Sequence, residues 1–556
     1  MSGPDVSETQ GVEVEIAAAL TRRLGGRVAR VSLTETGRGI AQRLGAAWFD
    51  AAVRSLALAH PGAPLELLVV SSEHEPFPAP IDVDPAVAGG RFAEGDAVGR
   101  VSVEGEPGRQ DAVGRTLVVP TTTLLDEAGE FHFLQPDSLK RRVVGGVYKK
   151  IYEKAPLLLD EWRQGRNTRV EHRRSVLRPQ VEHLSTAGGS PLTTGEEPVA
   201  WIAMHWFESG GAESWAVQSA ELAAAAGYRV VVTADVAAPQ RQLDRMLEIT
   251  DDVFVAANAL AEEDWGAFLT ALVRTYRPTL LHVHHSRRAY AFLPELRHVA
   301  PSVQVLDSTH IVEHRTGGFV RQSIELSDLI DEHHVISPEL RDLYLLDSEV
   351  DRRKLVYRPL TSGVSPVPAV RPRSGGPLRI GYLGRLAPQK RPFLYVALAA
   401  RLHAKAPADF SFVMQGSGVL GAMTSDRIRK EGLEGVIERR PWGPVGDFMD
   451  DVDVLVISSD NEGLTLTSLE AEEHGVLVLS ADVGSQRTVV APMLLVPRAP
   501  RGFLSGATQA LVRLAGDPDA YERARREQTQ LIQALHEVEP ASAFLARRLE
   551  ELKEKN

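Results

Sequence analysis

One plan occurs twice along this chain: an apolar run, a loop, an amphipathic stretch, then a second apolar run. In the first occurrence Val199 to Met204 leads past Gly210 and Gly211 into a helical pattern from Ala212 to Ala226, then to Arg229–Thr233. In the second, Leu378 to Leu383 is followed by a helical pattern over Pro392 to Ala404 and a run from Phe410 to Gln415. Strand, helix, strand in that order is the crossover unit of a parallel sheet. Further short buried strands are expected at Thr279–Val283, Val303–Leu306, His334–Ile336, Val452–Ser458 and Val476–Leu479, with a helix over Thr467–His474. The plan recurs without any fixed sequence period. Two doubly wound domains side by side imply a cleft, with ligands beyond the carboxyl ends of the strands.

The chain has 556 residues, enough for about three domains. Two segments rich in turn residues divide it: Ser185 to Pro198, and Ser362 to Pro377 with its four prolines. The expected organisation is an N-terminal accessory domain over 1–184, Rossmann-like domains over 198–361 and 378–540, and a final helix over 541–556. The first block is read as an independent α/β or α+β domain. Its expected strands are Arg27–Leu33, Glu66–Ser71 and Arg115–Pro120, with a hairpin turn at Asp126–Gly129. The absence of cysteine excludes disulfides, thiolate zinc sites and cysteine nucleophiles, and suits a reducing compartment. A net charge of −12 gives no general attraction to nucleic acid. The polar, acidic N-terminus has no secretory pattern, and no apolar run approaches membrane-spanning length, so a soluble, cytoplasmic protein is expected.

Three stretches carry chemistry. Gly381 to Pro392 ends a strand in a glycine loop holding Gly384, Arg385 and Lys390, and a helix follows. Two cations beside helix-end amides suit a diphosphate; a solvated basic turn is the plain alternative. Asp460 to Glu470 sets Glu462 and Glu470 eight positions apart, in a loop and in the helix after it. The amides of Gly463, Leu464, Thr465 and Leu466 open that helix and suit a sugar hydroxyl or phosphate oxygen. Alone, the pair also reads as acids favoured by a helix dipole. Glu208 to Glu213 forms a βα turn in which Gly210 and Gly211 let backbone approach a ligand.

Taken together, the pieces GGAESWAVQSAELAAAAGYRVVV, VISPELRDLY, IGYLGRLAPQKRPFLYVALAARL and SSDNEGLTLTSLEAEEHGVLVLSADVG resemble the retaining glycosyltransferases of GT-B fold, family 4 (group 1), with their E-x7-E motif. The resemblance spans roughly residues 198–540 and is most specific in its C-terminal half. It implies a nucleotide-sugar donor and no metal. Arg385 and Lys390 would stabilise the leaving diphosphate, Glu462 would face the donor sugar, and Glu470 would hold the ribose. Gly210 and Gly211 would line the cleft, and His310 would stand at the donor sugar. Gly384, Gly416, Gly463, Leu464, Thr465 and Leu466 would complete the donor pocket. The acceptor is left open: a glycan, a lipid-linked sugar or a protein.

Two positions depart from the family pattern. Thr465 stands where a glycine is usual, and Gln415–Gly418 replaces a more acidic turn, which leaves donor identity open. Two metal-like signals are discounted: Asp451 and Asp453 as an acidic helix end, and His282, His284 and His285 as a strand end facing the cleft. Lys140 to Arg178 holds twelve Lys/Arg against four acids, with Tyr148, Tyr152 and Trp162 among them. Either it is a solvated face pairing with the acidic bulk, or it lands on anionic headgroups or a polyanionic acceptor at the inner membrane face. The rival readings of the whole chain are a silent glycosyltransferase-like subunit and a phosphorylase or epimerase on the same scaffold.

Overall fold

The computed structural model describes residues 11–71, 78–81, 97–109, 111–119, 151–162 except 153, residue 192, 197–311 except 209, 317–346, 350–361, and 375–555 except 419. The turn expected at Asp126–Gly129 lies outside these residues. So do His314, most of both linkers, and the parts of the basic stretch at 140–150 and 163–178.

The N-terminal block is α+β. Helices α1 (Gly11–Arg23), α2 (Glu35–Leu44) and α3 (Ala46–Ala59) accompany strands β1 (Ala29–Leu33), β2 (Leu65–Val70), β3 (Ala97–Val103) and β4 (Val113–Val118). Their order is β1-β3-β2-β4, antiparallel except for the β2–β4 pair. The central strand β3 is missing from the sequence reading, where Gly99 and Arg100 break its apolar pattern.

The next unit holds β5 (Val199–Met204), α4 (Gly211–Ala225), β6 (Arg229–Ala234), β7 (Val253–Phe254), α5 (Trp265–Tyr276), β8 (Leu280–His284), α6 (Arg287–Val299), β9 (Gln304–Thr309), α7 (Gly318–Glu325), β10 (Glu332–Val335), α8 (Pro338–Leu345) and β11 (Leu355–Tyr357). Its seven parallel strands run β11-β10-β9-β8-β5-β6-β7. The third unit holds β12 (Leu378–Leu383), α9 (Pro392–Lys405), β13 (Phe410–Gln415), α10 (Gly421–Lys430), β14 (Ile437–Arg440), β15 (Val454–Ile457), α11 (Leu466–Glu473), β16 (Leu477–Ala481), β17 (Leu495–Val496), α12 (Pro500–Gly516), α13 (Pro518–His536) and α14 (Ala541–Lys555). Its six parallel strands run β14-β13-β12-β15-β16-β17. β5, β8, β15 and β16 are buried at every position, as expected of strands covered by helices on both faces. These are the two Rossmann-like units expected, preceded by an α+β unit. Each sheet reverses strand order beside its first strand, between β5 and β8 and between β12 and β15. The crevices outside those strand ends are the ligand positions of such sheets.

Contacts between the units join segments far apart in the chain. The N-terminal block docks on the middle unit. The Arg54 guanidinium donates to the carbonyls of Asp251 (2.9 Å) and Val253 (3.0 Å), and Asn258 donates to the Val118 carbonyl at 3.0 Å. Arg115 forks onto Asp264 at 2.7 and 2.8 Å. Burial pushes the Asp264 carboxyl up, but His60 and Arg115 outweigh it and hold it at about 2. Farther along, residues 151–162 reach the third unit. Tyr152 meets Phe393 edge-on at 5.9 Å, and Glu161 accepts the Arg501 amide at 3.0 Å. The last helix, α14, returns to the middle unit: Tyr228 donates to the Leu549 carbonyl at 2.9 Å, and Arg548 pairs with Glu332 at 3.2 Å.

Candidate functional site

The site stands where the β12 and β15 loops meet the loops after β5, β8 and β9. After β12 the chain passes Gly384 to a short turn over Pro388–Lys390, and α9 starts at Pro392. That turn is stitched to the loop after β15. Gln389 donates to the Asn461 carbonyl (3.0 Å), its own carbonyl accepts the Asp460 amide (2.8 Å), and Ser458 donates to the Lys390 carbonyl (2.9 Å). Beneath them Arg391 is fully buried in a left-handed conformation, φ 46°. Its guanidinium donates to the carbonyls of Ser458 (2.6 Å), Ser459 (2.9 Å) and Arg498 (2.9 Å). This strut fixes the neighbouring Lys390.

The ammonium of Lys390 lies 2.5 Å from Glu462 Oε1, with the carboxylate buried and the ammonium half-buried. Both line a small pocket with Tyr382, Ser458, Ser459, Thr465 and Thr467. The sequence reading missed the two serines, Tyr382 and Thr467, which carry no charge to single them out. Thr465 has ordinary extended backbone, φ −75° and ψ 116°, so its replacement of a glycine costs no strain. Its hydroxyl meets Ser468 at 2.5 Å and Gln486 at 3.2 Å.

The middle unit closes the other side. Ile311 and Gly463 form an antiparallel bridge, and a Cβ on Gly463 would collide with the His310 carbonyl oxygen. A Cβ on Gly211 would stand 3.2 Å from Leu466. Gly211 therefore abuts the start of α11, whereas Gly210 faces the Glu213 carboxylate. Ser485 donates to Ser337 at 2.6 Å and Thr488 to Glu339 at 2.7 Å, pinning the two units beside the cleft.

Not every expected residue joins this pocket. Arg385 is exposed on its loop and is not among the pocket-lining residues. Beside it the turn buries Leu386, and Tyr382 donates to the Arg385 carbonyl at 2.9 Å. Glu470 is half-buried on α11, a helical turn beyond the lining. Burial, then the neighbouring Glu473, raises its carboxyl above the usual range. Gly416, at φ 147°, packs on the Gly384 backbone, where a Cβ would collide with the Gly384 carbonyl oxygen; a Cβ on Gly384, at φ 151°, would meet nothing. Leu464 is buried.

The ends of β5, β8 and β9 gather imidazoles that the sequence reading only partly used. His310 is buried, and neither ring nitrogen has a hydrogen-bond partner among the described residues. Burial, then the neighbouring His285, keeps it neutral, well below the usual imidazole range. His285 accepts the His310 amide at 3.2 Å and stacks on Phe319 with ring centroids 4.6 Å apart. Burial lowers it to about 3. His282 is occupied by Ser308 at 2.9 Å, which in turn meets His334 at 2.8 Å. Glu213, quoted in the glycine motif but given no role there, accepts from Trp206 (2.6 Å) and His205 (3.0 Å). Burial pushes its carboxyl up, yet those two donors hold it at about 2. The acids set aside as structural are so engaged: Asp451 pairs with Arg379 and Arg440, and Asp453 accepts the Arg379 amide.

Residues 368–507 match the family model described as glycosyl transferases group 1. The chain is 27% identical over 292 residues to the D-inositol 3-phosphate glycosyltransferase of Streptomyces coelicolor, covering 48% of this chain and 57% of that one. It thus spans little more than half the length of that curated relative. Among solved structures it is similar to Anabaena HepE in complex with UDP and glucose (13% identity, TM-score 0.49, 65% of this chain and all of that one). It is also similar to a glycosyltransferase from Rickettsia africae (15% identity, TM-score 0.48, 65% and 99%).

Proposed function

We propose, from the match of residues 368–507 to the group 1 glycosyl transferases, that this chain moves a sugar from a nucleoside-diphosphate sugar to an acceptor, with retention and without a metal. The observation that carries the reading is the Lys390–Glu462 pair, 2.5 Å apart at the carboxyl ends of β12 and β15 and opposite His310 and Gly211. As the bond to the donor sugar breaks, negative charge grows on the departing diphosphate. Lys390 and the amides opening α11 meet that charge, with no reorganisation needed at the moment of reaction. Arg385 supplies a second cation from the loop crest. Glu462 accepts sugar hydroxyls, Glu470 holds the ribose, and neutral His310 offers a hydrogen bond to the sugar. The abutting loops exclude water and so limit hydrolysis. A cytoplasmic site of action is part of the proposal.

The acceptor belongs to the loops after β5, where Glu213 is held ionised beside His205. A thermal-shift panel of UDP-, GDP- and ADP-sugars tests the donor. One nucleotide at a hundredfold excess over its Kd adds about 2.7 kcal/mol of stability, and slow hydrolysis of its sugar marks catalysis. A melt unmoved by any of them overturns the reading.

A further inference from the structure

We propose that His284 and His310 together hold one hydroxyl of the donor sugar, which makes His284 a specificity-determining residue of the cleft. Among the described residues, these are the two histidines with both ring nitrogens buried and without a hydrogen-bond partner. They are 1% and 5% exposed, and a buried polar atom left unpaired is unfavourable. The other imidazoles at these strand ends are engaged: His282 by Ser308, His334 by Ser308 and the Arg358 carbonyl, and His285 by the His310 amide. The His284 and His310 ring centroids stand 6.3 Å apart with the planes at 75°, too far for a direct bond between the rings. An oxygen at hydrogen-bond distance from a nitrogen of each lies about 4 Å from either centroid, and a tetrahedral angle at that oxygen sets the centroids about 6.5 Å apart. One shared oxygen therefore fits the spacing. His310 brings that position to the donor side, since its carbonyl abuts Gly463, next to Glu462.

Chemistry selects the occupant. Burial, then the neighbouring His282 and His310, keeps His284 neutral, well below the usual imidazole range, as burial keeps His310. A neutral imidazole carries one N–H and one bare nitrogen. A hydroxyl accepts from one ring and donates to the other. Phosphate and carboxylate oxygens only accept, so two neutral rings are a poor match for the diphosphate. A metal ion takes lone pairs alone, and no group of three His, Asp or Glu among the described residues is arranged to hold one. This role for His284 rests on the donor reading of the cleft.

Titration calorimetry on the full chain tests it, with UDP, GDP and ADP and with UDP-glucose, GDP-mannose and ADP-glucose. His284→Leu should bind the sugar nucleotide about tenfold more weakly than wild type does, and its nucleoside diphosphate equally well. The melt of that variant should be no lower than wild type, because two unpartnered polar atoms leave the interior. His284→Gln keeps a donor and an acceptor, and its affinity should fall between the two. Unchanged sugar-nucleotide affinity in both variants overturns the role while the donor reading stands. A lower melt at unchanged affinity marks a structural water between the rings and overturns it too. Binding of none of the six ligands removes the donor reading and this role with it.

Discussion

Lys390 and Glu462 illustrate how much rests on single side chains here. Each is the other's counter-charge in the structure, and neither has a structural duty comparable to that of Arg391 one residue on. Lys390→Ala and Glu462→Ala are therefore each expected to lower transfer by at least about a hundredfold, the scale of losing one preorganised electrostatic contact. The Glu462→Ala melt should stay close to wild type, while Lys390→Ala, which leaves the buried carboxylate without its counter-charge, should melt lower. Near-wild-type turnover in either variant would remove the pair from the chemistry. Gly463 is constrained differently, since the obstacle to a side chain is the His310 carbonyl on the facing unit. Gly463→Ala must push the two units apart at the cleft. A shift of that size in reacting groups costs at least about tenfold in turnover, with the isolated third unit still folded by circular dichroism.

Among the elements, α14 has the least obvious duty from its place in the chain. It is last in sequence, yet Leu545, Leu549 and Leu552 are buried, and its polar contacts run to Tyr228 and Glu332 of the middle unit. Leu549→Ala should cost about 3 kcal/mol, the usual price of a large-to-small change in a packed core. Hydrogen exchange should show the loosening at α4 and β6, not in the third unit to which the helix is joined. Loosening confined to α12 and α13 would contradict that packing. The strut from Arg391 is a second case. A fully buried guanidinium beside Asp460, bonded to three carbonyls, takes three buried hydrogen bonds with it when removed. Arg391→Ala should therefore lower stability by about 3 kcal/mol, measurable as a reduced midpoint in urea at unchanged slope.

The molecule as a whole has a built-in acid sensitivity. Burial holds His285 at about 3 and His334 at about 4, and drives His282, His284 and His310 below the ordinary imidazole value of 6.5. The unfolded chain takes up protons at these positions as the pH falls through about 6.5, while the folded chain does not. Stability contributed by the neutral imidazoles is thus full above that value and is lost as the pH falls toward 4. The buried acids act lower down: Glu213 and Asp264, both at about 2, contribute stability above the ordinary carboxyl range that disappears as the pH approaches 2. Melting temperatures between neutral pH and about pH 4 should fall steadily. A level profile would mean that the imidazoles are already charged in the folded protein.

Local pattern alone determined the two parallel sheets, because continuous apolar runs between amphipathic helices have few other ways to be buried. Leu378–Leu383 and Phe410–Gln415 fall where expected to the residue. The charged residues of the loops after β12 and β15 were legible too, since Lys390 and Glu462 lie in short motifs at strand ends. Tertiary structure decided what depends on contacts distant in sequence. It set Glu213 beside His205, folded α14 back onto the middle unit, and docked the N-terminal block on β7. Those outcomes turn on which surfaces meet after collapse. No local propensity records the partner a side chain finds a hundred residues away.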